Sequence, residues 1–398
     1  MGDLSSALPL EGLTVVALEQ AVAAPFATRQ LADQGARVIK IERPGVGDFS
    51  RGYDTAVKGL ASYFVWVNRS KESLSLDLKH AIAPDVLHRL LLNADVFIHN
   101  LGLGAVDRLG LGAEVVKERY PQLITCAISG YGSTGPYRNR RAYDLLIQAE
   151  SGLMSVTGTE ETPSRAGISI ADIAGGMYAL SGILTALFAR SRTGRGTWME
   201  VSLLEALGEW MSFPAYYTRY GGGPPPRTGA GHGTIAPYGS FKVGDGGSVY
   251  LAIQNEREWR RLCAEVLELP DLGSDSRFDS NPKRSEMKAE LQAIIEQVFA
   301  RCSLSEVERR LDEAKIAWAH LNTAAEFVDH PQLAARDRWR DVVSPGGPIS
   351  MMLPPVTVEG VEPAMGPIPR VGQHTDEILT ELGFSPETIA ELHKTGAV

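Results

Sequence analysis

From residue 13 onward the hydrophobic period keeps switching between that of a strand and that of a helix, and this alternation restricts the fold more than any other feature of the sequence. TVVALEQ predicts a strand, AAPFATRQLADQGA a short helix with Pro25 near its first turn, and RVIKIERP a second strand. SLSLDLK, APDVLHRLLLNA and DVFIHN repeat the pattern, and VDRLGLGAEVVKERYP with LITCAISGYG repeats it again. Strand, helix, strand in succession predicts a parallel sheet covered by helices, an α/β fold.

The pattern breaks at GGGPPPRTGAGHG, residues 221–233, where neither helix nor strand is plausible and a linker or functional loop is expected. SFKVGDGGSVYLAIQ then reads as a hairpin. NEREWRRLCAEVL, SEMKAELQAIIEQVFA and SLSEVERRLDEA read as helices of a smaller lobe. After about residue 325 come short segments with prolines, then TDEILTELG and SPETIAELHKTG, two capped helices.

With 398 residues, 44% of them hydrophobic and 22% charged, the chain can bury the cores of two lobes. A net charge of −9 argues against a nucleic-acid partner, because neutralising phosphates needs a dense basic surface. Cys126, Cys263 and Cys302 form no CxxC, so buried reduced thiols are expected rather than disulfides or zinc. The uncharged apolar run Met177 to Ala189 is too short to cross a bilayer, and no membrane partner is expected. MGDLSSALPL lacks the basic and apolar regions of a signal peptide and fits the myristoylation pattern, through Gly2 and Ser6, only on a short match. These readings together predict a cytoplasmic protein.

Several familiar chemistries are missing. GVGDFSRG and GLGLGAVDR contain GxG without completing GxGxxG, and there is no Walker lysine motif, HExxH or GxSxG. The eight histidines are scattered apart from the GHG at His232, so no metal site is expected.

One carboxylate needs an explanation. Asp172 lies in GISIADIAGGMYAL among small and apolar residues, and burying an ionised carboxylate costs several kcal/mol unless something compensates. The helix that follows carries Ala174, Gly175, Gly176, Ala179 and Gly182, poor in propensity but permitting close approach by a backbone or a ligand. Asp172 at that helix N-terminus reads either as a cap or as a nucleophile kept ionised by the unpaired N–H groups, and the two are compatible. Basic residues near strand ends, Lys40, Arg43, Lys79 and Arg108, could converge on a phosphorylated ligand outside the carboxyl ends of the strands.

These stretches together resemble the family III CoA-transferases of CaiB/BaiF type, formyl-CoA transferase-like proteins. The resemblance is carried by AAPFATRQLADQGARVIKIERPGVGDFSR, NRSKESLSLDLK, ADVFIHNLGLGAVDRLGLG, TGRGTWMEVSLLEAL and VGQHTDEILTELGFSPETIAELHKTGAV. It implies a large domain with a Rossmann-like parallel sheet, a smaller α+β domain and an interlocked, ring-like homodimer. The expected spans are 1–220 for the large domain, 221–325 for the small domain with its glycine-rich lid, and 326–398 for a return to the large domain.

The same resemblance makes Asp172 the catalytic residue. It places CoA contacts at Ala23, Arg43, Leu76, Asp77, Leu78, Lys79, Asn100, Leu101, Gly102, Arg108, Ser129, Gly130, Tyr131 and Gly132. Gln20, Tyr143, Arg227, Gly231, His232 and Gly233 are candidates for substrate contact, with Arg227 and His232 able to meet a second carboxylate. CoA thioesters enter as substrates, and no cofactor is held permanently. The implied reaction moves CoA from a donor such as succinyl-CoA to a C5 dicarboxylate such as itaconate, mesaconate or citramalate, through aspartyl anhydride and aspartyl-CoA thioester intermediates.

Three other readings compete. Oxalate-type or carnitine-type transferases share the motifs, but the multi-glycine run of the oxalate branch is not reproduced in the lid. The α-methylacyl-CoA racemases resemble the same segments and pair the aspartate with a histidine, where this chain has Tyr143 in RRAYDLLIQ. A non-catalytic CoA-binding protein would have lost the carboxylate, and Asp172 is retained.

Overall fold

A computed structural model describes residues 8–398, so the myristoylation match at Gly2 and Ser6 lies outside the described residues. The chain divides into a larger unit, made of the residues up to 151 with 166–211 and 333–398, and a smaller unit of 152–165 with 212–332. The smaller unit therefore begins before residue 221, extends past 325 and takes in an earlier excursion at 152–165. The loop at 221–233 was a visible break in composition, whereas the break in packing falls within helical sequence, between Leu203–Trp210 and Ser212–Tyr220.

In the larger unit β1 (Thr14–Leu18), β2 (Arg37–Glu42), β3 (Lys71–Ser75), β4 (Val96–His99), β5 (Ile124–Ser129) and β6 (Trp198–Ser202) form one parallel sheet. Its order, β3-β2-β1-β4-β5-β6, is that of a doubly wound dinucleotide-type fold and reverses between β1 and β4. At that switch point the chain is tied across the crevice. The Gln20 N–H donates to Asn100 Oδ1 at 2.9 Å, and Asn100 Nδ2 donates to the Gln20 carbonyl at 2.8 Å. The sixth strand, at WMEVS, was not read from the sequence; its polar Glu200 and Ser202 blur the apolar run expected of a covered strand.

Lys40 departs from expectation. It sits inside β2 with 0% exposure, its Nζ 2.8 Å from Asp48 Oδ2 and 3.4 Å from Glu19 Oε1, so it is not a strand-end base open to a ligand. Lys71 Nζ meets the same Glu19 oxygen at 2.7 Å. Burial alone would raise the Glu19 and Asp48 carboxyls, but the lysines hold both below their ordinary values. Asp48 Oδ1 also accepts the N–H groups of Ala21 at 3.2 Å and Ser50 at 2.9 Å, clamping the turn after β1 to the loop after β2.

Two helices pack closely beside this turn, Ala23–Asp33 and the long Ile170–Thr193. The small residues of IAGG make the approach possible. A Cβ at Gly176 would stand 2.7 Å from the Ala23 carbonyl oxygen, and one at Gly175 would stand 2.4 Å from Leu203 Cδ2. The long helix extends well beyond the apolar run Met177–Ala189 and, by length and composition, is long enough to cross a membrane; here its Ala and Gly face is buried.

The C-terminal helices Thr375–Glu381 and Pro386–Thr395 insert Ile378, Leu379, Ile389 and Leu392, and the turn between them Phe384, into the core around Leu74 and Leu76. Ser385 caps the second. The first has no side-chain cap: its cap residue, His374, instead accepts the Ser73 N–H on Nδ1 at 3.0 Å, and the Thr375 hydroxyl accepts the Ser75 N–H at 2.9 Å. Preceding them, β10 (Trp339–Val342) and β11 (Ile349–Met352) form a hairpin where only proline-containing segments were expected.

In the smaller unit the expected hairpin, β7 (Tyr238–Lys242) and β8 (Ser248–Ala252), gains a third antiparallel strand, β9 (Ala317–Ala319). Phe241, Leu251, Trp259, Phe278, Ile295 and Phe299 lie in its core. Cys126 and Cys263 are buried thiols; Cys302 is only half-buried, and none forms a disulfide.

The interhelical contact yields a prediction. Gly176→Ala should destabilise the protein by about 1–3 kcal/mol, since the backbone oxygen of Ala23 cannot swing aside as a side chain would. Thermal unfolding would read this as a midpoint several degrees lower, and an unchanged midpoint would show that the two helices are not in firm contact.

Candidate active site

At the carboxyl ends of β1, β4 and β5 the larger unit opens a cleft of about 490 Å³. Gln20 to Ala23, the turn Asn100–Leu103 and the segment Ile128–Gly130 contribute its walls, and Asp172 and Tyr143 both line it. Ala21 is held at φ +60, a left-handed conformation unusual for a residue with a Cβ, by the Asp48 bond to its own N–H and the Asn100 clamp on Gln20.

Asp172 stands in the first turn of the long helix rather than at its cap. Ser169 occupies the cap, and its side chain makes no capping hydrogen bond. The Ala171 and Asp172 N–H groups donate to Asp144 Oδ1, at 2.8 and 3.3 Å, and the Ile173 N–H donates to the Ser169 carbonyl at 2.9 Å. The amides expected to hold the Asp172 charge are therefore already engaged. Asp144 has moved into the capping role from another helix. Burial, and then repulsion from Asp144, push the Asp172 carboxyl up to about 7.

Other donors are open in the same cleft. The Ala23–Asp33 helix has no side-chain cap, its third residue is Pro25, and among the described residues no acceptor meets the N–H groups of Ala23 and Ala24. Such first-turn amides attract developing negative charge. Among the described residues lining the cleft there is no histidine. His99, just before Asn100, is buried in the sheet, and burial pushes it down to about 4.

The positions expected to meet CoA divide into three groups. Ala23, Asn100, Leu101, Gly102, Ser129, Gly130 and Gly132 line the cleft together with Gln20. Arg43, Leu76 and Leu78 line a small adjoining cavity of about 30 Å³, which shares Gln20 and Leu101 with the cleft. Asp77, Lys79, Arg108 and Tyr131 line neither. Asp77 Oδ1 accepts the Lys79 N–H, Lys79 and Arg108 are exposed, and the Tyr131 ring packs edge-on against Tyr137.

Arg138, Arg140 and Arg141 also line the cleft. They lie on a loop away from any strand end, and the signal for them in the sequence is the run RNRR in an acidic chain. Arg140 pairs with Glu150 at 3.3 Å, whereas Arg138 and Arg141 have no acidic partner among the described residues.

The lid candidates belong to the smaller unit. Arg227 donates to three backbone carbonyls, those of Ser155, Thr159 and Glu160, and its guanidinium is thereby occupied rather than left for a substrate carboxylate. The His232 ring stacks on Tyr238 at 5.2 Å, and its Nδ1 accepts the Thr234 N–H. Gly231 leaves room for Lys288, whose Nζ donates to the His232 carbonyl at 2.9 Å, and a Cβ at Gly233 would only touch the Pro226 carbonyl oxygen, at 3.7 Å. The loop is fastened to its own unit at several points; Asn281 and Ser285 both donate to the Thr234 carbonyl.

The sequence pattern of CoA-transferase family III matches residues 10–375. An acyl-CoA transferase of Fusarium pseudograminearum is 36% identical over 99% of this chain and 89% of its own length. The succinyl-CoA:glutarate CoA-transferase of Homo sapiens is 33% identical over 100% of this chain and 91% of its own. The succinyl-CoA:mesaconate CoA-transferase of Haloarcula hispanica is 30% identical, with 95% and 98% covered. Among solved structures, a CAIB/BAIF family protein from Brucella suis superposes with a TM-score of 0.82 at 32% identity, covering 94% of this chain and 100% of that one.

The raised carboxyl has a consequence for stability. A group whose folded value lies above its unfolded value costs the folded state nothing below pH 4 and its full penalty above about pH 7. That penalty is on the order of 4 kcal/mol for Asp172. Asp172→Asn should therefore raise the unfolding midpoint at pH 8, with the advantage shrinking to nothing near pH 4. Equal midpoints across that range would show that Asp172 is well solvated.

Proposed function

Because this chain belongs to CoA-transferase family III, we propose that Asp172 is the nucleophile of a succinyl-CoA-dependent enzyme whose acceptor is a C5 dicarboxylate. The observation that carries the reading is a single desolvated carboxylate in a cleft bordered by unpaired amides and arginines, with no histidine among the described lining residues.

The chemistry follows from those groups. An Asp172 oxygen attacks the thioester carbonyl, the C–S bond breaks and CoA leaves as thiolate, giving a mixed anhydride. The thiolate then attacks the aspartyl carbonyl, releasing succinate and leaving an aspartyl-CoA thioester. The acceptor carboxylate attacks that thioester, expelling CoA thiolate and forming a second anhydride, and the thiolate then attacks the acceptor's carbonyl to give the new acyl-CoA and free Asp172. No bond energy is lost to water, so no ATP is required. Each addition develops an oxyanion, for which the unengaged N–H of Ala23, on the cleft wall, is a candidate donor.

Arg43, Arg138 and Arg141 supply cationic partners for the phosphates of CoA. Support for the acceptor class comes from relatives named for glutarate and mesaconate, both five-carbon dicarboxylates, which adds glutarate to itaconate, mesaconate and citramalate as acids to test. The homodimer implied by the resemblance is carried forward as part of the proposal, and light scattering on the purified chain tests it.

The functional test is mass-spectrometric. Succinyl-CoA is incubated with glutarate, itaconate, mesaconate, citramalate, oxalate or carnitine, without ATP. A new acyl-CoA matched by free succinate is expected for at least one C5 dicarboxylate. Product only with oxalate or carnitine would overturn the acceptor class, and deuterium uptake into a 2-methylacyl-CoA without transfer would overturn the reaction. Asp172→Ala should lower transfer by at least about 10³-fold while leaving the protein folded.

A further inference from the structure

The helix that carries Asp172 is held from outside itself. Asp144, the first residue of the helix Asp144–Glu150, takes both available first-turn amides of Ile170–Thr193 on its Oδ1. Its Oδ2 accepts Gln148 Nε2 at 2.7 Å. Gln148 has 0% exposure; it also donates to the Ile168 carbonyl at 3.3 Å and accepts the Ala166 N–H at 2.9 Å on its Oε1. Two side chains one turn apart thus strap the segment from Ala166 to Asp172 against a single helix.

We propose that Asp144 is the positioning residue of the nucleophile: it fixes the start of the long helix and, by engaging the amides with a negative charge, leaves Asp172 an unsolvated anion that acylation relieves. The inference rests on the reading of Asp172 as the nucleophile. A carboxylate free to accept its own helix N–H groups would be stabilised, and so would be a weaker base and a poorer attacking group. Here those groups are occupied by a like charge. Once Asp172 becomes an anhydride or a thioester it is neutral, so both its burial cost and its repulsion from Asp144 disappear at the covalent step. The other titratable or charged groups around Asp172 are Tyr53, Tyr143 and the arginines Arg138, Arg140 and Arg141 of the cleft. Burial and the neighbouring carboxylates push the Tyr53 hydroxyl up to about 12. Among the described residues none of these groups donates to the Asp172 carboxylate.

A purely structural cap and a charged positioning residue differ in one substitution. Asparagine caps a helix as well as aspartate does, but carries no charge. In Asp144→Asn the unfolding midpoint should stay close to that of the wild type, as should KM for the acceptor. The acid limb of kcat for the succinyl-CoA half-reaction should move to lower pH by about one unit, since repulsion between like carboxylates is removed. The rate on the alkaline plateau should fall several-fold, because the nucleophile is less basic.

The experiment has three arms. Mass spectrometry of quenched wild-type enzyme with succinyl-CoA is expected to find the adduct on Asp172; an adduct elsewhere, or none, would sink the nucleophile reading and this inference with it. With the adduct on Asp172, an acid limb that coincides in wild type and Asp144→Asn would overturn the positioning role alone. Should that variant fail to fold, Asp144→Ser, another uncharged cap, takes its place, and the same shift or coincidence of the acid limb supports or overturns the positioning role.

Discussion

The buried ion cluster beneath β1 and β2 is the constraint on which the site's architecture depends. Lys40, Lys71, Glu19 and Asp48 are all withdrawn from solvent inside one face of the sheet. Removing any one partner would leave a charge uncompensated in a low-dielectric interior, which is far more costly than the net stability the complete cluster contributes. The cluster is therefore best understood as a device for position. Through Asp48 it fixes the turn at Ala21, that turn sets the start of the Ala23–Asp33 helix, and that helix packs on the glycines that follow Asp172.

The nucleophile itself is arranged by an opposite logic. In the ion cluster every charge has a counter-charge; around Asp172 the nearest charge has the same sign, and the local helix amides are turned away to Asp144. A carboxylate that has to attack a thioester is held in an environment that disfavours it as a resting anion. The compensation comes from the fold that surrounds it, with the long helix packed on both the sheet and the Ala23–Asp33 helix.

Much of this was legible in advance for a specific reason. Helices and strands bury one face each, so their periods appear in the sequence, and the order of β1 to β5 with their intervening helices could be read directly. Asp172 stood out because a charge among Ala, Gly and Ile needs a cause. The arginines of RNRR were visible as charge without an address. Arg227 was visible as charge with the wrong address, since its partners are the backbone carbonyls of a segment about seventy residues earlier in the chain.

By itself, then, the sequence determined the layered parallel architecture, the place of the carboxylate at the start of a small-residue helix, and the family to which the chain belongs. Those properties are local or periodic, carried by neighbouring residues. Tertiary structure alone decided that Lys40 faces inward, that Asp144 rather than Asp172 caps the long helix, and that the start of the Ala23–Asp33 helix brings an unengaged amide to the cleft. Each of these depends on which side chains meet across many residues of chain. A hydrogen bond or ion pair of that kind leaves no periodic trace, because its partners are chosen by packing rather than by spacing.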